Sequence, residues 1–145
     1  MSHRALYVDV VRAKNIIGVN KKNGTSDPYV VAWLQNIAGR EIKKEKFQTK
    51  TIPKTLAPEW NERFTFGQEY DLNTSGELPT LVLALYHTGG LLQTDEAMGK
   101  ITVPLDTIDP SGTVAASWYP LVGDSRTMKF AAAGEIYIKM KFSGP

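Results

Sequence analysis

The sequence predicts an all-β fold, an eight-stranded antiparallel β-sandwich with Greek-key connections. Short apolar and β-branched runs recur along the chain, Gly, Pro, Asn and Asp lie between them, and no long stretch keeps the helical period of about 3.6 residues. The last run alternates cleanly, with Ile136, Ile138 and Met140 separated by aromatic or charged residues. Alternation of this kind indicates a strand with one buried face. Several such runs with turn residues between them are typical of sandwiches.

Each predicted strand has its own signal in the sequence. In order, they are an apolar opening run at residues 6–11, a run begun by a proline at 28–34, an alternating run at 47–52, a phenylalanine pair within 63–66, a strongly apolar run at 81–86, a β-branched run after a glycine at 101–103, an aromatic run at 118–121 and the alternating run at 135–142. Pro28 suits the first position of a strand, where a missing amide donor is harmless.

The second and third runs are expected to present different chemistry on their outer faces. In the second run, Tyr29, Val31 and Trp33 point away from the side taken by the other apolar residues. In the third run, an inward Phe47 leaves Lys46 and the lysine at position 50 facing water. If the two strands are neighbours, an aromatic strip lies beside a cationic one.

Composition excludes several classes of protein. The 145 residues suit one domain with a buried core, net charge is +2, cysteine is absent, and no apolar run approaches the length of a membrane helix. The only histidines are His3 and His87, and no nucleophile motif or phosphate-binding glycine loop accompanies them, so no enzyme is expected. The near-balanced charge and the lack of spaced aromatic residues in the basic segment argue against nucleic acid.

Four motifs follow one another along the chain. They are Gly-Thr-Ser-Asp-Pro-Tyr-Val at 24–30, Thr-Leu-Ala-Pro-Glu-Trp-Asn-Glu at 55–62, Leu-Val-Leu-Ala-Leu-Tyr at 81–86 and Asp-Glu-Ala-Met-Gly-Lys at 95–100. The series resembles that of C2 domains, the calcium- and phospholipid-binding family found in protein kinase C, synaptotagmin and phospholipases. The resemblance implies a single C2 domain over residues 1–145, with its core at about 5–142. The extra strand after Trp118 implies the phospholipase-type (type II) strand arrangement.

The resemblance also implies a calcium site built from about five aspartates in two loops. Asp27 matches one of them, but Lys21 stands where the family has its leading aspartate. His87 and Gly89 replace the pair of aspartates that follows the aromatic end of a strand in the family. Lys21 is predicted either to take the place of the ion beside Asp27 or to point into solvent.

The remaining candidate ligands form a degenerate site. They are Asp27, Asp95, Glu96 and Asn20. Asp95 and Glu96 are alternatives for one position of the family's site, so about two of its five carboxylates remain. Because Ca²⁺ takes about 6–8 oxygen ligands, mostly carboxylate, two side-chain charges are too few at signalling concentrations. The expectation is calcium-independent behaviour with no cofactor, and the alternative is one weakly held calcium ion.

Two further features point to a lipid surface. The segment around Lys43, Lys44, Lys46 and Lys50 resembles the polybasic strand with which some C2 domains bind phosphoinositide headgroups, and Tyr29 matches another headgroup position. Lysines attract an anionic membrane surface in a salt-dependent way. Leu91 and Leu92 follow two glycines at a loop tip, where they are predicted either to enter the bilayer or to fold back over the sandwich.

The apolar strip of Val31 and Trp33 leaves a second function open. Exposed apolar strips are contact surfaces or are covered by the protein itself. One interpretation is contact with a protein partner, with a second copy or with another part of a longer polypeptide, and the alternative is cover by residues 35–46. The first expectation is a non-catalytic module that docks on anionic membrane phospholipids, as a peripheral membrane protein of the cytoplasm. The alternatives are a protein-interaction or self-association module that uses this strip, and a weak calcium-dependent lipid binder.

Overall fold

The protein folds into two four-stranded antiparallel sheets. The computed structural model describes residues 4–20, 22–72, 77–90, 93–123, 128 and 131–143. The strands are β1 (Leu6–Lys14), β2 (Pro28–Gln35), β3 (Glu41–Gln48), β4 (Glu59–Phe66), β5 (Thr80–His87), β6 (Glu96–Pro104), β7 (Ala115–Pro120) and β8 (Glu135–Phe142), with a 3-10 helix at Leu105–Thr107. The predicted eight-stranded sandwich is confirmed.

The strand order follows from the pairing. One sheet has the order β4-β1-β8-β7, and the other has the order β3-β2-β5-β6. The last strand in the chain therefore lies between β1 and β7, inside the first sheet. The phospholipase-type arrangement stays a prediction, as does the assignment of residues 1–145 to one domain. Within the described ranges, no helix has the length and apolarity needed to cross a bilayer.

The core is formed by the inner faces of both sheets. Alternating residues of β1, β2, β5 and β8 meet there, namely Leu6, Val8, Val10, Val30, Ala32, Leu34, Leu81, Leu83, Leu85, Ile136, Ile138 and Met140. Full burial of an aliphatic side chain of this size contributes about 1.5–3 kcal/mol by the area scale, so these residues dominate stability. Trp60, from the Pro-Glu-Trp-Asn-Glu motif, is also buried in this cluster.

The third strand differs from the sequence prediction. The run at 47–52 was expected to be a strand, but β3 spans Glu41–Gln48 and the chain leaves the sheet after it. A tight turn sets this register: the Asn36 side chain accepts hydrogen bonds from the amides of Ala38 and Arg40, and Gly39 has a φ of 81°. A lysine-rich segment gives no apolar alternation, yet charged residues are common on edge strands because they discourage pairing with other chains.

One strand is buried on both of its faces. The inner residues Leu81 and Leu83 of β5 belong to the core, but the outer residues Val82 and Ala84 are only 1% and 6% exposed. We call residues 121–134 the connecting segment because they join β7 to β8, and its described residues Val122 and Met128 line a groove together with Ala84. The Lys100 amide of β6 donates to the Val122 carbonyl at 2.9 Å, and the Val122 amide donates to the Lys100 carbonyl at 3.0 Å.

Candidate functional site

Three connections meet at one end of the sandwich. They are residues 15–27 between β1 and β2, 49–58 between β3 and β4, and 88–95 between β5 and β6. The Thr55 amide donates to the Ser26 carbonyl at 2.9 Å, and the Thr88 amide donates to the Asp27 carbonyl at 3.1 Å. We call these three connections the loop end. It brings together Asp27 and Asp95, two of the candidate calcium ligands, and His87, which stands where the resemblance implies another aspartate.

Asp27 is engaged on both its backbone and its side chain. Its Oδ1 accepts a hydrogen bond of 2.6 Å from the Lys54 amide, and its own amide donates to His87 Nδ1 at 2.9 Å. His87 occupies the position where the resemblance implies an aspartate, and its Nδ1 is held there as an acceptor toward the loop. An imidazole nitrogen thus contacts the backbone where a carboxylate was expected.

Asp95 anchors the β5–β6 connection. Its Oδ1 accepts a bond of 2.9 Å from the Gly89 amide, and its Oδ2 accepts a bond from the Tyr29 hydroxyl. The pKa of Asp95 is lowered from its ordinary value by the Gly89 amide first, then by Tyr29, with a contribution from nearby His87. The pKa of the Tyr29 hydroxyl is raised, by burial first and then by Asp95. Asp95 therefore stays ionised and Tyr29 stays protonated at neutral pH.

The β5–β6 connection leaves no room for a side chain at position 89. A Cβ at Gly89 would lie 2.4 Å from the carbonyl oxygens of Gln93 and Thr94, closer than real Cβ atoms approach. The resemblance implies an aspartate at this position. The loop as folded excludes it, and the sequence alone had shown only that the aspartate was missing.

The other candidate ligands do not complete a cage. The Asn20 Oδ1 accepts from the Lys22 amide at 3.0 Å, and Glu96 begins β6 opposite His87. Within the described ranges, no three His, Asp or Glu side chains cluster in a way that would hold a metal ion. These residues fit poorly with the ~6–8 oxygen ligands that Ca²⁺ takes. The predictions for Lys21, Leu91 and Leu92 lie outside the described residues.

Replacing Tyr29 by phenylalanine is expected to move the pKa of Asp95 upward toward its ordinary value. One of its two donors is removed, while the Gly89 amide still keeps the pKa lowered. A group with a lowered folded pKa adds stability above its unfolded value, and this is lost as pH falls through the folded value. Carboxyl-carbon NMR titration measures the shift. Tyr86→Phe, whose ring stacks on Tyr29 at 5.6 Å, is the control, and an unmoved Asp95 pKa in Tyr29→Phe would contradict the assignment.

Tyr29 itself does not present a surface to a headgroup. Its side chain is 8% exposed, and its hydroxyl is bonded to Asp95. The sequence placed it among the headgroup contacts because its position matches the family pattern. The structure gives it a different task, which is to fix the β5–β6 connection to β2. The basic surface defined next therefore leaves it out.

The predicted lysines lie along the edge strand and just after it. Lys43, Lys44 and Lys46 of β3 and Lys50 in the following connection are all exposed, and we call these four residues the lysine surface. Lys46 forms an ion pair of 3.2 Å with Glu41, and its Nζ lies 5.7 Å from the centre of the Trp33 ring. The pairing of Trp33 with Lys46 confirms that the aromatic strip lies beside the cationic one.

Glu45, which interrupts the lysines in sequence, is turned away from them. It is 1% exposed, and its carboxylate accepts hydrogen bonds from the amides of Gly67, Glu69 and Tyr70 at 2.9–3.1 Å. A positive φ of 66° at Lys44 accompanies an irregular register on this strand. Two residues along from Glu45, Phe47 points inward and stacks on Phe64 at 5.2 Å. The fold thus removes one negative charge from the lysine surface.

The strip of Val31 and Trp33 is half-buried. The prediction that residues 35–46 cover it is wrong, because these residues form the turn and β3 within the same sheet and lie beside β2 rather than over it. Val122 and Met128 of the connecting segment instead face Trp33 across a groove of about 350 Å³. Sequence reasoning missed this segment, and the only available signal was the apolar character of residues 81–86 on both faces.

The motifs, the sandwich and the loop end agree with one family of domains. The family model for the C2 domain matches residues 4–121. The chain belongs to the C2 domain family. This C2 domain is 34% identical over 138 residues to synaptotagmin-1 of Aplysia californica, covering 94% of the chain and 30% of that protein. It is 37% identical over 116 residues to synaptotagmin-1 of Homo sapiens, covering 80% of the chain and 25% of that protein.

Solved structures agree with the fold of this C2 domain. A C2 domain of plant extended synaptotagmin 1 superimposes with a TM-score of 0.78 at 23% identity, covering all of this chain and 98% of that one. Human GIVD cytosolic phospholipase A2 superimposes with a TM-score of 0.74 at 22% identity, covering 99% of this chain and 17% of the enzyme. The chain spans less than a third of the synaptotagmins that it matches.

Proposed function

We propose that this C2 domain docks on membranes containing anionic phospholipids through its lysine surface, without calcium and without catalysis. The observation that carries the proposal is the one-sided charge of β3. Its lysines are exposed, while Glu45 is buried beneath the strand and Glu41 pairs with Lys46. Each lysine near an anionic surface contributes about 1 kcal/mol.

Calcium independence is supported by what the loop-end carboxylates already do. Asp27 and Asp95 accept hydrogen bonds from the protein itself, and position 89 has no space for a third carboxylate side chain. The bonds from Gly89 and Tyr29 each occupy a lone pair of Asp95, so its carboxylate offers fewer free sites to calcium than an unbonded one would, at some energetic cost to binding. This energetic cost adds to the shortage of negative oxygens.

The location and wider role are proposals of the same kind. We assign the domain to the cytoplasmic face of a membrane as a peripheral module, in membrane trafficking or signalling. The synaptotagmin relatives support this, although they are much longer than the chain. Leu91 and Leu92 at the β5–β6 tip are proposed as a second, apolar contact with the bilayer. The strip of Val31 and Trp33 supports protein contact or self-association as the second candidate function.

Vesicle sedimentation tests the proposal directly. The protein is expected to bind vesicles of phosphatidylcholine with phosphatidylserine, to ignore vesicles of phosphatidylcholine alone, and to bind equally in calcium and in chelator. Binding should weaken as salt rises, because the screening length is about 10 Å at 0.1 M and shorter above it. Binding that requires micromolar calcium would contradict calcium independence. No binding at any composition, together with a dimer in solution, would favour the second candidate.

A further inference from the structure

The outer face of the second sheet carries an apolar groove that two-layer sandwiches do not require. In a two-layer sandwich, residues alternate along each strand between the core and the outer face, and those on the outer face are normally polar and in contact with water. Here Val82 and Ala84 of β5 are almost fully buried on that face, and the connecting segment pairs with the edge of β6. These bonds hold Val122 beside Lys100, and a groove of about 350 Å³ lies between Val122, Met128 and Trp33.

The lining of the groove is apolar with a single charge. Trp33, Ala84, Tyr86 and Ala97 form its floor and Met128 faces them, while Lys100 is exposed at its rim. None of its described lining residues is acidic. The volume falls in the range of about 300–1,000 Å³ that small-molecule sites occupy, and such sites are mostly apolar with few polar groups that fix orientation.

We propose that this groove binds a fatty acid, with the acyl chain against Trp33 and Ala97 and the carboxylate at Lys100. An apolar trough ending at one cation complements a molecule that is a long hydrocarbon with one anionic end. A neutral apolar ligand would leave Lys100 unused, and a compact anion would leave the trough empty. The groove borders the lysine surface at Trp33, whose ring centre lies 5.7 Å from Lys46 Nζ. Its own charged residue is Lys100, which is not part of that surface, so the proposal does not rest on membrane docking.

The dependence of affinity on fatty-acid chain length distinguishes binding in the groove from adsorption to an open surface. Each methylene group buried tightens binding by about fourfold, so affinity rises along a series of fatty acids and stops rising once the groove is full. Adsorption to an open surface would show no such plateau. The chain length at which affinity stops rising therefore measures the length of the groove.

Quenching of Trp33 locates the ligand. Terminally brominated dodecanoate, added in vesicle-free buffer below its micelle concentration, is expected to quench tryptophan fluorescence saturably. Trp33→Phe should remove the quenchable part, whereas Trp118→Phe, on β7 of the other sheet, should keep it. Quenching that survives in Trp33→Phe, or that begins only at the micelle concentration, would overturn the proposal.

Two substitutions then test the groove and its charge. Ala97→Phe fills the trough and is expected to weaken dodecanoate binding at least tenfold, as is Lys100→Glu by repelling the carboxylate. Lys139→Glu is the matched control, since it makes the same charge change at an exposed strand lysine of the other sheet. Circular dichroism melts confirm that each variant folds. Equal weakening by Lys139→Glu would overturn the proposal, whatever the outcome of the vesicle experiment.

Discussion

Replacing Lys44, Lys46 and Lys50 together by alanine is expected to weaken binding to acidic vesicles by about 100-fold. Each lysine at an anionic surface is worth about 1 kcal/mol, and three of them correspond to roughly two decades of affinity. The three side chains are exposed and lie on or just beyond one edge strand, so a flat membrane can reach them at the same time. Vesicle partitioning at low salt measures the effect, and higher salt should shrink it.

A second triple variant distinguishes the effect of the lysine surface on vesicle binding from the effect of net charge. Lys14, Lys139 and Lys141 are exposed lysines of the other sheet, on β1 and β8, and their replacement by alanine removes the same total charge. We expect this variant to bind vesicles within about threefold of the wild type, since its lysines face away from a membrane held at β3. If both variants lose binding equally, attraction is a property of the whole molecule and the lysine surface has no special part in it.

Most of the fold was predictable because the sequence signals of most strands lie within a few residues. Period-two alternation in β8, a proline at the start of β2 and the aromatic residues of β4 are signals that act over a few residues. The boundaries of β3 were not predictable in this way. Its start is set by the Asn36 side chain and by Gly39, and its lysines carry no apolar period, so the pattern pointed to a strand shifted toward Phe47.

The residue types at the loop end were predictable from sequence, but the hydrogen bonds between them were not. The missing aspartates at His87 and Gly89 can be read from the sequence, because the family pattern names those positions. The bond from the Lys54 amide to Asp27 and the bond from the Tyr29 hydroxyl to Asp95 join residues that are 27 and 66 positions apart, so no local pattern contains them. The burial of Tyr29 was not predicted for the same reason, since the Asp95 that accepts from its hydroxyl is far away in sequence.

The inward position of Glu45 could be predicted from local sequence, whereas the groove could not. Glu45 lies two residues before Phe47, so the alternation that buries Phe47 also predicts an inward Glu45, and this signal was present but unused. The groove depends on where Val122 and Met128, which come after β7 in the chain, lie relative to Trp33. A segment with little strand pattern of its own leaves those positions open, and only the doubly apolar β5 hints that something covers it.

Replacing Glu45 by alanine is expected to lower the free energy of unfolding by about 3–4 kcal/mol. Three backbone amides, of Gly67, Glu69 and Tyr70, lose the acceptor that Glu45 supplies from a position only 1% exposed. Hydrogen bonds to a charged group contribute about 1.5–3 kcal/mol each, and the total is smaller than the sum because the loop relaxes. For a chain of this size, the melting temperature should fall by about 10 °C.

Glu41→Ala is the matched control, since it removes a carboxylate from the same strand at an exposed position that pairs across the surface with Lys46. Exposed ion pairs contribute about 0–1 kcal/mol, so the melting temperature should change little. Glu45→Gln keeps one acceptor oxygen and should fall between the two. Chemical denaturation of the three variants measures the differences, and equal losses at positions 41 and 45 would show that Glu45 acts only as a charge. The expected order, with Glu45→Ala far below Glu41→Ala, means that the glutamate withdrawn from the lysine surface is also the residue that fixes the connection after β4.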